Sequence, residues 1–204
     1  MSIILIRHGE TASNAARVLQ FPDTPLSERG LAQARALAKR FTNAKPVAIL
    51  ASDMSRAWST AEAIAAVTGL SIHPSQLLHE RNFGDLRGRR FDDLDHNPIA
   101  AEHGAPNGES MVVFRARVIQ AFEEMVKMRS GISGDLIVVS HGLVIKLILA
   151  ELVQLKDGLQ APEHLGNTSV SVISAKAPYL AELVDCTTHL SEGISHNKNT
   201  VAGV

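Results

Sequence analysis

Short runs of branched apolar residues alternate with amphipathic segments along this chain, and three of the runs end abruptly in polar residues. The runs cover residues 2–6, 47–51 and 135–139, and each has the length of a buried strand. Apolar residues at three- and four-residue spacing predict helices over 27–41, 54–65 and 110–128. The polar residues that end the strands are Arg7-His8-Gly9, Ser52-Asp53 and Ser140-His141-Gly142.

This alternation of strands and helices predicts an α/β fold with a largely parallel sheet. Two further strands are expected to close the sheet, at 168–174 and 179–184. Residues 82–108 are rich in glycine and proline and are interpreted as an excursion over the carboxyl edge of the sheet. We expect one domain over residues 1–190, followed by a polar tail at 191–204.

The amino-acid composition and the charge limit the kinds of binding partner that we expect for this protein. The chain has 204 residues, a formal net charge of −1 and 20% charged residues, so it has no broad basic field for nucleic acid or an anionic membrane. The longest apolar stretch, 143–153, contains Lys146 and Glu151 and is too short to span a bilayer. The first strand follows no positively charged region, and Cys186 is the sole cysteine. We therefore expect a cytoplasmic protein with no signal peptide and no internal disulfide.

The carboxyl ends of parallel strands lie at the same edge of a sheet, where open α/β proteins bind their ligands. Two histidines and two arginines, His8, His141, Arg7 and Arg56, are therefore expected to converge with helix N-termini, and the loops that carry Glu80 and Asn14 could reach the same edge. Guanidinium groups hold phosphate oxygens bidentately and stay charged, which indicates a phosphoryl ligand.

A metal site is disfavoured at this edge because the arginines would repel a cation, and the histidines lack the spacing of metal ligands. A second acidic group, Asp92, Asp93, Asp95 and His96, matches no metal motif and is interpreted as a solvated turn or helix start. We therefore expect neither a metal nor a cofactor.

Six sequence blocks resemble, in order, those of the histidine phosphatase superfamily, the phosphoglycerate mutase-like proteins, and in particular its short phosphatase branch. The resemblance extends over roughly residues 1–185. The blocks are Arg7-His8-Gly9-Glu10-Thr11; Asp23-Thr24-Pro25-Leu26-Ser27-Glu28-Arg29-Gly30; Ser52-Asp53-Met54-Ser55-Arg56-Ala57 with Thr60-Ala61; His79-Glu80 with Phe83-Gly84; Gly108-Glu109-Ser110 with Phe114 and Arg117-Val118; and Val139-Ser140-His141-Gly142.

The resemblance implies a three-layer sandwich, with a mostly parallel central sheet between layers of helices. It implies that His8 is the nucleophile that becomes phosphohistidine and that Glu80 is the proton donor, with His141 as the second catalytic histidine. The residues implied to bind the substrate phosphate are Arg7, Asn14, Arg56, His141 and Gly142.

The leading functional hypothesis is a metal-independent hydrolase that cleaves a small phosphomonoester through phosphohistidine. A cofactor-dependent phosphoglycerate mutase is the first alternative, and the chain length favours the shorter phosphatases. The second alternative is a non-catalytic module that binds a phospho-ligand or a protein. Such modules usually lack a core residue of the sequence blocks, and none is lost here. Assembly of the protein as a homodimer is left as an open alternative.

The substrate is left open by two departures from the family pattern. Asp85-Leu86-Arg87-Gly88 stands where the family often has Trp-Glu-Gly, and Gln20-Phe21-Pro22 where many members have Gln-Gly. A basic cluster nearby is interpreted as a solvated face, with contact to a substrate anion as the alternative. Its members are Arg81, Arg87, Arg89 and Arg90.

Overall fold

The computed structural model describes residues 1–195, and residues 196–204 of the predicted polar tail lie outside that range. The strands are β1 (Ser2–Arg7), β2 (Pro46–Ala51), β3 (Ile72–Pro74), β4 (Asp135–Ser140), β5 (Gln154–Leu155), β6 (Val170–Ser174) and β7 (Leu180–Cys186). The helices are α1 (Ala12–Ala16), α2 (Glu28–Lys39), α3 (Ser55–Thr68), α4 (Met111–Ser130) and α5 (Gly142–Leu147), which continues as a π-helical turn over Ile148–Leu152.

The strands form one sheet in the order β3-β2-β4-β1-β6-β7-β5. The neighbouring pairs from β3 to β1 are parallel, whereas β6 runs antiparallel to β1 and to β7. In this register Arg7 lies opposite Ser140, and Ala51 lies opposite Val139. The three polar strand ends of the sequence therefore do meet at the same edge, and the mostly parallel sheet is confirmed.

Helices cover both faces of the sheet, as alternate strand residues require. Leu5 and Val138 pack into the cluster that includes α4 and α5. Their neighbours Ile6 and Val139 pack into a second cluster with α2 and α3. The three-layer α/β sandwich is therefore confirmed.

The predicted excursion, residues 82–108, lies within the long connection 75–110 between β3 and α4, which contains three 3-10 turns, Gln76–Leu78, Gly84–Leu86 and Phe91–Asp93. The interpretation of its arginines as one solvated face is wrong for Arg81, whose side chain is only 3% exposed. The Arg81 guanidinium donates hydrogen bonds to the backbone carbonyls of Pro98, Ile99 and Ala101 at 3.3, 3.0 and 2.7 Å. These bonds therefore tie the segment 98–101 to the residue that follows Glu80.

The remaining arginines of the predicted basic cluster are more exposed to solvent than Arg81. Arg89 and Arg90 are exposed, and Arg87 is half-buried. Asp92 pairs with Arg17 at 2.7 Å. Among residues 1–195 no group of three histidine, cysteine or acidic residues is arranged to hold a metal ion, and none of the helices there is long and apolar enough to cross a membrane.

Candidate active site

His8 follows β1 directly, and its backbone is held between two neighbouring segments. Its N–H donates to the Ser140 carbonyl at 3.0 Å, and its carbonyl accepts from the Thr168 amide at 3.2 Å. The next residue, Gly9, passes so close to α2 that a Cβ at this position would lie 2.7 Å from the Gly30 carbonyl oxygen. The Arg-His-Gly sequence therefore needs glycine because the loop after β1 packs backbone to backbone against α2.

The hydrogen bonds of the His8 ring assign its tautomer. Nδ1 lies 2.7 Å from the Gly9 carbonyl oxygen, which can only accept, so Nδ1 carries the proton. Nε2 accepts a hydrogen bond from Arg56 Nε at 3.2 Å. Burial, reinforced by the charges of Arg56 and Arg7, holds the pKa of His8 well below its ordinary value. His8 is therefore a neutral imidazole whose Nε2 lone pair faces a cation.

His141 follows β4 and lies beside His8, with the ring centroids 5.1 Å apart. Its Nε2 is 2.8 Å from Oγ of Ser52, the residue that directly follows β2. Its Nδ1 is buried and has no hydrogen-bond partner among the described residues. Burial and the charge of Arg56 hold the pKa of His141 well below its ordinary value too.

Two buried guanidinium groups flank the histidines. Arg7 is 1% exposed and Arg56 is 2% exposed. Arg7 donates to the Leu165 carbonyl, and its Nε has no partner within residues 1–195. Burial lowers the pKa of each guanidinium to about 10, so both remain charged at neutral pH.

Glu80 is a buried carboxyl at the N-terminus of α5. Its two oxygens accept hydrogen bonds from the backbone amides of Arg81 and Leu143, at 3.0 and 3.1 Å. Burial raises the pKa of Glu80, although the two amides and the charges of Arg56 and Arg7 oppose that shift. A carboxyl with a raised pKa beside two fixed cations is suited to proton transfer.

Arg117 positions the segment that carries Glu80. Its guanidinium bonds the Glu109 carboxylate at 2.7 Å and the backbone carbonyls of Leu77 and His79 at 2.8 and 2.7 Å. Glu109 and Arg117, which belong to the sequence block at the start of α4, therefore fasten this helix to the segment that carries Glu80.

Asn14 and Gly142 are less directly involved than the charged residues. Asn14 forms a capping box with Thr11 at the start of α1. Gly142 is the first residue of α5, a position at which an amide has no intrahelical acceptor. The structure places both in segments that join the cluster around His8 and His141.

Sequence reasoning missed Asn167. Its side-chain amide donates to the His8 carbonyl at 3.2 Å and to Asn14 Oδ1 at 3.4 Å. The polar run 166–169 precedes β6, and an antiparallel strand begins at the edge where the parallel strands end. A search for polar residues at both strand starts and strand ends would have found it.

A cavity of about 720 Å³ opens beside the cluster. Of the residues expected to converge at this edge, Glu80 lines this cavity, whereas His8, His141, Arg7 and Arg56 are not among its lining residues. The two histidines and the two arginines are instead buried, each with at most 2% of its surface exposed. The residues that line the cavity are Pro22, Met54, Gln76, Leu77, His79, Glu80, Asn82, Arg87, Gly104, Gly108, Glu109, Ser110, Val113 and Arg117.

Comparisons with known proteins identify the family of this chain. The family model of the histidine phosphatase superfamily (branch 1) matches residues 3–181. A Yersinia pestis protein named probable phosphoglycerate mutase GpmB is 33% identical over 192 residues, which cover 89% of this chain and 88% of the relative.

Solved structures show the same fold. A mycobacterial glucosyl-3-phosphoglycerate phosphatase, in complex with VO3, aligns with a TM-score of 0.77 and 26% identity over 91% of this chain and 99% of its own. Bacillus stearothermophilus YhfR aligns with a TM-score of 0.79 and 28% identity over 93% of this chain and 99% of its own.

Proposed function

The chain belongs to the histidine phosphatase superfamily, branch 1, and is a histidine phosphatase; we propose that it hydrolyses a small phosphomonoester without a metal, through a phosphohistidine at His8. One observation carries this proposal: His8 is neutral and presents the lone pair of Nε2 to Arg56 at 3.2 Å. A nucleophilic imidazole needs that lone pair, and nearby arginines disfavour its protonation.

In the first step, phosphoryl oxygens take over the donors of Arg56 and Arg7, which frees the lone pair of His8. Nε2 then forms a bond to phosphorus while the ester P–O bond breaks and its electron pair goes to the leaving oxygen. Glu80 gives that oxygen a proton. The unpartnered Nδ1 of His141 is the nitrogen left to donate to a non-bridging oxygen, because its Nε2 lies on Ser52 Oγ.

In the second step, water attacks the phosphorus, the N–P bond breaks and its electrons return to His8 Nε2. The ionised Glu80 now takes the proton from the water. Ester and water become alcohol and phosphate, and every group returns to its starting state. Two fixed guanidinium charges supply the stabilisation for which other phosphatases use metal ions, which is why we propose a metal-independent enzyme.

A phosphoglycerate mutase is the second candidate, favoured by the 33% identity to a protein named as a probable mutase. The argument from chain length does not separate the two candidates, because the match covers 88% of that relative. A mutase returns the phosphoryl group to a substrate hydroxyl, whereas a phosphatase passes it to water. Release of inorganic phosphate from a phosphoglycerate, compared with formation of its isomer, therefore separates the two candidates.

We further propose that residues 1–190 act as one catalytic domain in the cytoplasm. The family match over residues 3–181 supports the domain, and a chain with a single cysteine suits a reducing compartment.

The test is a phosphate-release screen over phosphorylated metabolites, with and without EDTA. We expect turnover in EDTA, its loss in His8→Ala, and an acid-labile phosphate on His8 in protein quenched during turnover. The exposed His73, on β3, gives the matched control His73→Ala, which should retain activity. Loss of activity in EDTA with recovery on adding zinc or magnesium would contradict the mechanism.

A further inference from the structure

Among the described residues, Arg87 is the charged side chain on the wall of the cavity beside Glu80 that has no partner. The other ionisable side chains on its wall have partners: His79 contacts the Asp53 carboxylate, Glu80 accepts two backbone amides, and Arg117 pairs with Glu109 at 2.7 Å. Within residues 1–195 no hydrogen bond or ion pair joins the Arg87 guanidinium to another residue. The counter-charge of this cation is therefore not supplied by the described part of the protein.

Two hydrogen bonds hold the backbone around Arg87. Its N–H donates to the Gly84 carbonyl at 3.2 Å, and the amide of the next residue, Gly88, donates to the Leu19 carbonyl at 2.7 Å. The side chain is half-buried, and burial lowers the pKa of its guanidinium. Its charge also lowers the pKa of Arg56, so it lies near the reacting groups. A partly desolvated guanidinium that lines the same cavity as Glu80 and has no partner among residues 1–195 is suited to bind an anion.

We propose that Arg87 binds a second anionic group of the substrate, on the part that leaves after phosphoryl transfer. This inference rests on the proposed phosphatase activity and narrows its substrates to phosphomonoesters whose alcohol portion carries a carboxylate or another phosphate. The guanidinium fork matches both groups bidentately, and a cavity of about 720 Å³ has room for such a metabolite.

A substrate with a neutral alcohol portion would leave Arg87 in the cavity without a counter-ion. Arg87 therefore works as a specificity-determining residue, distinct from Arg7 and Arg56, which lie deeper. The departure from the family pattern at Asp85-Leu86-Arg87-Gly88 is what places this guanidinium at the cavity wall.

The experiment measures dissociation constants by calorimetry on His8→Ala protein, which binds substrates without turning them over. Two matched pairs are compared: D-3-phosphoglycerate with glycerol 3-phosphate for the carboxylate, and fructose 1,6-bisphosphate with fructose 6-phosphate for the second phosphate. In at least one pair the member with the extra anion should bind roughly 10- to 100-fold tighter, as expected for hydrogen bonds to a charged group.

When Arg87→Gln is combined with His8→Ala, the preference should fall to within about threefold. The member of each pair that lacks the extra anionic group should bind as before. Arg89→Gln removes the same charge from an exposed position and should retain the preference. Arg87→Lys keeps the positive charge but not the guanidinium fork, so it should retain part of the preference. This variant replaces Arg87→Gln in the test if the glutamine variant unfolds.

The proposal is overturned if neither pair shows a preference, if Arg87→Gln keeps it, or if that variant weakens both members of a pair equally. These outcomes concern binding and leave the proposed hydrolysis untouched. A wild-type protein that shows the Arg87-dependent preference but releases no phosphate would instead defeat the proposed function and leave this inference standing.

Discussion

Replacing Glu80 by Gln tests the proposed proton donor with little change in shape. In the protein both carboxylate oxygens accept backbone amides, from Arg81 at 3.0 Å and from Leu143 at 3.1 Å. A glutamine has one acceptor oxygen, so one of these two amides loses its partner. The substitution also removes the carboxyl proton, which the leaving alkoxide of an alkyl phosphate needs and p-nitrophenolate hardly needs.

The two effects have different sizes. Loss of one buried hydrogen bond costs about 1–3 kcal/mol of unfolding free energy, and a domain of this size loses roughly 2–4 °C in Tm for each kcal/mol. Because burial already disfavours the ionised carboxylate, we expect the lower part of that range. Loss of general-acid catalysis should slow phosphorylation about 10²–10⁴-fold on an alkyl phosphate, and less than about tenfold on p-nitrophenyl phosphate.

The assay is rapid-quench measurement of phosphohistidine formation on both substrates, with Tm measured in parallel. Pre-steady-state rates are needed because Glu80 is also the proposed base for hydrolysis of phosphohistidine, so the variant should show a burst of p-nitrophenolate followed by slow turnover. Glu80→Asp keeps the carboxyl and should recover part of the rate on the alkyl phosphate. Equal losses of phosphorylation rate on the two substrates would refute proton donation and leave Glu80 a positioning role.

Three further predictions follow from the geometry. Because the pKa of His8 is lowered, ¹⁵N NMR at pH 6.5 should show its imidazole neutral with the proton on Nδ1; a half-protonated ring at that pH would contradict the site electrostatics. Arg81→Met should lower the unfolding free energy by about 2–3 kcal/mol and speed chymotryptic cleavage within 94–108, whereas the exposed Arg90→Met should do neither. Gly30→Ala places a Cβ 2.0 Å from the Glu10 carbonyl oxygen, so denaturant titration should show a loss of about 1–3 kcal/mol or more, and unchanged stability would show that the loop can yield.

Much of the fold and the central charges of the site could be predicted from the sequence alone. Alternation along the strands determines which residues face each helical layer, since successive side chains point to opposite faces. The polar residues after three apolar runs located His8, Ser52 and His141 at one edge, because parallel strands share the direction in which they end. These features depend on local periodicity and strand direction, which a sequence records directly.

What only the tertiary structure decided depends on partners far away in the chain. Arg81 and Arg87 look alike in sequence, yet Arg81 is bonded to carbonyls 17–20 residues away, whereas Arg87 lines a cavity and has no partner in the part of the chain that the structure describes. Asn167 reaches the His8 carbonyl across 159 residues, and the tautomer of His8 follows from its contacts with Gly9 and Arg56. A side chain's hydrogen bonds and pKa are set by the atoms that enclose it, and that enclosure exists only once the chain has folded.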